Sequence, residues 1–132
     1  MTSYFLYARK SSEAEDRQIR SIEDQLSVLR ALAKQEGLSI IHEFTEKETA
    51  KKPGRPVFNQ MIERIERGEA QGILCWKLDR LARNPWDDGK IRWLHQIGTI
   101  QQVRTYEHDY QSEDNGLLMS VEFAAATNMS AT

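Results

Sequence analysis

The 132-residue chain is poor in the residue types that disulfides, metal centres and most protease sites need: it holds one cysteine and three histidines. A single thiol excludes an intramolecular disulfide, and Cys75, inside the apolar run GILCW, reads as a small buried hydrophobe without chemistry. The histidines at 42, 95 and 108 fall on an expected strand, helix and loop, without metal-ligand spacing, so neither a metal centre nor a serine-protease-like triad is expected. No GxxxxGK[ST] loop is present and no glycine-rich turn follows the first apolar run. That disfavours nucleotide hydrolysis and dinucleotide binding, and no cofactor, nucleotide or otherwise, is expected. No apolar stretch approaches the ~20 residues of a membrane helix, and the chain opens without a basic, apolar leader, so a soluble, cytoplasmic protein is the expectation. Excess positive charge is lacking too. The net charge is −2, made of +2 over residues 1–83 and −4 over residues 84–132, which argues against gripping nucleic acid mainly by bulk electrostatics.

What is present is alternation. SYFLYAR reads as a strand, followed by a helix from about Ser21 to Gln35 with Ile22, Leu26, Leu29, Leu32 and Ala33 on one face and Gly37 as its stop. LSIIHEF is a second strand, and a polar loop with turn signals at Pro53 and Gly54 leads to a helix from Pro56 to Arg67, stopped by Gly68. QGILCWKL reads as a buried strand, NPWDDGKIRWLHQIG as a helix opening at Asn84, and TIQQVRTY as a further strand. Strands alternating with helices imply an α/β domain, with a mainly parallel sheet covered on both faces and ligands beyond the carboxyl ends of its strands. The length suits one such domain, residues 1–132.

Two strand ends carry clustered polar residues, whose spacing alone fits a solvated charged loop or a capping serine as well as an anion site, and whose concentration of arginine favours the latter. The first delivers Arg9, Ser11 and Ser12 in YARKSS; the third delivers Lys77, Asp79, Arg80 and Arg83 in KLDRLAR. In parallel strands joined by crossovers the carboxyl ends lie together, so these groups are expected to share one cleft although about 70 residues separate them. A serine hydroxyl amid arginines suits a phosphoryl centre. Guanidinium groups bind phosphate in bidentate fashion and stay charged at any working pH. A phosphodiester is therefore the leading substrate class.

Together YARKSS, the helix segment SIEDQ, GRP before the second helix, and KLDRLAR resemble the serine recombinases, the family of resolvases, invertases and large serine integrases. The paired motifs Y-x-R-x-S and K-L-D-R-L-x-R carry the resemblance, which spans nearly the whole chain. It implies a three-layer α/β/α catalytic domain with a mixed, mainly parallel five-stranded sheet. It implies DNA as partner and a homodimer or homotetramer in the full-length protein. It also assigns Ser11 as the nucleophile that cleaves and rejoins DNA through a 5′-phosphoserine, Arg9, Arg80, Arg83 and Arg55 as phosphate-binding arginines, Asp79 as the acid of the second motif and Gln25 as the glutamine that orders the site. Lys10 stands where the small recombinases usually carry valine, and EAEDRQIR lengthens the segment before the first helix. The stretch DNGLLMSVEFAAATNMSAT reads as a helix still running at Thr132, so the domain is expected to be cut within or near a long C-terminal helix. Two rival readings are a non-catalytic relative serving as an assembly or phosphate-binding module, and a phosphatase with an arginine cradle.

Overall fold

A computed structural model of the chain describes residues 2–12, 19–111 and 123–126. The first strand, β1 (Ser3–Arg9), is buried almost throughout, and its side chains divide by period two. Tyr4, Leu6 and Ala8 enter one core with Leu26, Leu29, Ala33 and Leu74, whereas Phe5 and Tyr7 enter the other with Phe58, Met61, Ile65 and Ile91. Helix α1 (Ile22–Glu36) covers the first face; α2 (Pro56–Glu66) and α4 (Pro85–Gln96) cover the second. These are the three layers that the alternation of strands and helices requires.

The sheet has the order β2-β1-β3-β4-β5, with β2 spanning Ser39–Glu46, β3 Gly72–Cys75, β4 Gln102–Thr105 and β5 Asp109–Gln111. All neighbours pair in parallel except β4 and β5, which are antiparallel. The carboxyl ends of β1 to β4 therefore share one edge, where Arg9, Glu46, Cys75 and Thr105 terminate their strands. β5, only three residues long, leaves no pattern in the chain by which alternation reads it.

Local signals account for the helix ends. Ser21 caps α1, its Oγ accepting from the Asp24 amide at 3.1 Å, and Gly37 closes that helix at φ 69°, where a side chain would be strained. α2 opens with Pro56 and ends one residue before the expected Arg67. In β2 the pairing slips between Tyr4 and Phe5, so that Ile41 is bulged out and 46% exposed. That extra residue turns Ile40 toward the α1 core and Phe44 toward the α2 core, which strict alternation does not allow.

The third strand is shorter than the apolar run predicts. It stops at Cys75, and the motif residues after it wind into a single turn, α3 (Leu78–Leu81). Of the expected C-terminal helix only residues 123–126 are described; they are helical, with Phe123 and Ala126 buried and Ala124 and Ala125 exposed. Leu117, Leu118, Val121 and Met129 of that stretch lie outside the described residues, as do residues 13–18. Among the described residues no helix is long and apolar enough to cross a membrane.

Candidate active site

β1 outruns β3 at the carboxyl edge, where the last pair between them is Tyr7 with Cys75. Arg9 thus reaches the strand end with β2 on one side only. Gln25 of α1 takes the other side. Its Oε1 accepts from the Arg9 amide at 3.4 Å, and its Nε2 donates to the carbonyls of Arg9 and Arg20, each at 3.0 Å. The glutamine is fully buried and completes the hydrogen bonding of a strand end that would otherwise be orphaned.

Arg9 is not displayed to solvent as its position after an apolar run suggests; it is 1% exposed. Its Nε donates to the Arg80 carbonyl at 2.9 Å, its Nη2 to the Asp79 carbonyl at 3.0 Å and its Nη1 to the Glu48 carbonyl at 3.3 Å. The carbonyls of a helical turn end form a negative pole, so a guanidinium against α3 is well placed. One side chain thereby ties together the first motif, the second motif and the loop after β2. Asp79 Oδ1 accepts from Arg80 Nε at 3.1 Å, and Arg80 is buried with it while Asp79 stays partly exposed. Arg83, 5% exposed, is held through its backbone: its amide donates to the Ala50 carbonyl at 3.1 Å. The Nε of Arg83 is buried without a hydrogen-bond partner among the described residues.

Arg55 sits in a separate buried network on the α2 side. Nη1 donates to the Tyr7 hydroxyl at 2.9 Å, Nη2 to Asp87 Oδ2 at 3.0 Å, and the guanidinium lies 3.9 Å over the Phe58 ring. The Tyr7 hydroxyl donates in turn to Glu46 Oε1 at 2.7 Å. Both carboxylate oxygens of Glu46 cap α2, accepting from the Val57 and Phe58 amides at 3.0 and 2.9 Å. Burial pushes the Tyr7 phenol well above its usual range; Arg55 opposes the shift and the Glu46 carboxylate adds to it. The hydroxyl stays a donor at any working pH. Asp87 is fixed by Asn84, whose Nδ2 donates to Oδ2 at 2.8 Å and whose Oδ1 caps α4 at the Asp87 amide. Neither Glu46 nor Asp87 was marked by the sequence patterns. The Asn84-to-Asp87 spacing signals the cap of α4, but nothing local connects it to an arginine 32 residues earlier.

A cleft of about 520 Å³ is lined by Lys10, Ser11, Ser12, Ser21, Lys47 and, from α1, Ile22 and Glu23. Ser11 is 9% exposed and Ser12 more fully so. The cleft walls thus carry two ammonium groups and one carboxylate around the serine hydroxyls, a net positive lining that favours an anion there. The single cleft expected for both motifs is not formed: Lys77 and Asp79 line a separate cavity, and no arginine is among the described residues that line the serine cleft, because the guanidiniums turn inward to buried partners. Among the described residues no group of three or more His, Cys, Asp or Glu side chains is placed to hold a metal ion.

The fold and motifs have counterparts among known proteins. The chain superposes on the N-terminal catalytic domain of TP901-1 integrase with a TM-score of 0.71 at 20% identity, covering 98% of this chain and 97% of that one. A resolvase family site-specific recombinase from Streptococcus pneumoniae matches with a TM-score of 0.66 at 25% identity, over 99% of this chain and 89% of that one. The C-terminal catalytic domain of ISC1926 TnpA, an IS607-like serine recombinase, matches with a TM-score of 0.61 at 19% identity, over 78% and 67% of the two chains. No curated protein sequence matches the chain significantly. The family model described as the resolvase N-terminal domain matches residues 4–129, from the start of β1 past the last described helical turn. A match of that extent, on a sheet whose carboxyl edge joins the two motifs through Arg9, means that this chain belongs to the resolvase N-terminal domain family and is a site-specific recombinase catalytic domain.

Proposed function

We propose that residues 1–132 form one catalytic domain that cleaves and rejoins DNA by transesterification, with Ser11 as the nucleophile. The observation that carries this reading is the Arg9 clamp on the Asp79 and Arg80 carbonyls, which joins two motifs 70 residues apart beside a serine in a lysine-walled cleft. In the reaction the Ser11 oxygen bonds to phosphorus, the bond from phosphorus to the 3′ oxygen breaks, and the cut strand is held as a 5′-phosphoserine. The departing 3′ oxygen takes up a proton, and attack by an exchanged 3′ hydroxyl reverses the step. One ester replaces another, so no nucleotide is consumed.

Arg80 and Arg83 are assigned to the phosphoryl oxygens, each such donor being worth ~3 kcal/mol in a preorganised site. Asp79, bonded to Arg80, is assigned to orienting that arginine and relaying the serine proton. Arg9 and Gln25 shape the serine loop from below, and Arg55 supports it through Tyr7, Glu46 and Asp87. The working form is a dimer or tetramer in the cytoplasm. In a recombinase carrying this domain, Ser11→Ala abolishes the covalent protein–DNA adduct on a suicide substrate, whereas Ser12→Ala leaves much of it. Denaturing gels read the outcome. An adduct that persists without Ser11, or disappears only without Ser12, moves the nucleophile and overturns the assignment.

A further inference from the structure

Rejoining a strand to a new partner requires the bases beside the cut to leave their complements, and unpaired bases lose stacking that a protein surface can replace. Such a surface lies on the same sheet edge as Ser11. Trp76 follows the last residue of β3 and Tyr106 the last residue of β4. Their rings stack at 4.8 Å with a tilt of 36°, and the Arg20 guanidinium lies 5.0 Å over Trp76. The Tyr106 amide donates to the Trp76 carbonyl at 3.3 Å, so the two rings are joined through their backbones. Arg20 is anchored as well, since Gln25 binds its carbonyl and that of Arg9 with one amide nitrogen. Tyr106 remains 46% exposed, and Trp76 also walls a cavity of about 270 Å³ that reaches Lys77, Asp79 and His108. A cation on an aromatic pair at the same carboxyl edge as Ser11 suits a planar, π-rich ligand.

We propose that Arg20, Trp76 and Tyr106 form a stacking platform for an unpaired DNA base next to the scissile phosphate. The platform rests on the reading of this domain as a DNA transesterase and extends it to the base beside the cut. Stacking is tolerant of sequence, so the platform holds a displaced base without selecting which base it is.

The test isolates Trp76 as sole emitter by Trp86→Phe and Trp93→Phe, both at exposed positions of α4. This chain is titrated at low salt with a single-stranded oligonucleotide, the same sequence as duplex, and an abasic strand of equal length. The base-bearing single strand quenches Trp76 and binds more tightly than either control. Tyr106→Ala then weakens that binding by roughly fivefold or more, while Tyr106→Phe retains it. Equal quenching by the abasic strand, or unchanged binding by Tyr106→Ala, overturns the platform. If quenching fails while a recombinase carrying the domain still forms its Ser11 adduct, the platform alone falls and the nucleophile stands.

Discussion

At the scale of single residues, the site is built on buried charge. Arg55 and Asp87 have side chains only 1% and 9% exposed, and an ion pair this deep leaves a costly orphan when one partner goes. Asp87→Ala is expected to lower unfolding free energy by roughly 3–5 kcal/mol, read from urea denaturation. A loss under 1 kcal/mol would mean that Arg55 finds another acceptor or water. Tyr7 makes a prediction of a different kind. Its folded pKa is raised, so its contribution to stability is complete below the ordinary tyrosine value near 10 and is lost as pH climbs beyond that, where the unfolded phenol ionises and the buried one does not. The stability of the unmodified chain therefore falls more steeply above pH ~10 than that of Tyr7→Phe, by up to ~1.4 kcal/mol per pH unit for one proton. Parallel slopes from pH 9 to 11 would remove the buried phenol from the account. Tyr4, also raised by burial first and then by Asp109, stays in both proteins and cancels.

At the scale of elements, packing of adjacent strands sets tolerance. Tyr4 and Gly72 are register partners on β1 and β3, and a Cβ at Gly72 would stand 2.5 Å from the Tyr4 ring. Gly72→Ala must displace that ring from the α1 core and is expected to cost roughly 1–3 kcal/mol, measured as a lowered urea midpoint at constant slope. The helix α2 depends on a carboxylate borrowed from β2: Glu46 supplies the cap that Arg55, at the N-cap position, does not. This couples the position of α2 to the strand end beside Arg9, because Glu46 and Arg9 are also register partners.

At the scale of the whole molecule, charge is plentiful but nearly balanced, with 18 Lys and Arg against 20 Asp and Glu and ion pairs spread over the helices and strands. The net −2 charge gives the domain little general attraction for DNA, and sequence is read through base edges by a groove-entering element that the described residues do not present. Residues 1–132 are thus expected to show no preference between a recombination site and scrambled DNA near physiological salt. Residual binding falls steeply as salt rises, as anisotropy at two salt concentrations would record. Nanomolar, site-selective binding by this chain would reveal a reading surface on the α/β domain. Strand cutting by a recombinase carrying the domain is also expected to survive EDTA, since guanidinium groups supply the positive charge at phosphorus. Magnesium-reversible loss of cleavage would instead make Asp79 a metal ligand.

The chain itself determined the order of elements and the edge at which chemistry collects. Apolar period, Ser21, Gly37, Pro56 and Asn84 are local signals, and each acts within a turn or two of where it stands. That the Ser11 and arginine motifs stand at one sheet edge was legible because they follow two parallel strands, whose carboxyl ends must meet. What each arginine does was decided only in three dimensions. Arg9 turns inward onto carbonyls of a turn that the apolar run hid as strand, and Arg55 is claimed by Tyr7 and Asp87 from other elements. The bulge at Ile41, the Glu46 cap and the Trp76–Tyr106 stack likewise escape linear reading. Each depends on which strands become neighbours and in what register, and that is set by burying two faces of one sheet at once, a condition no local stretch of sequence carries.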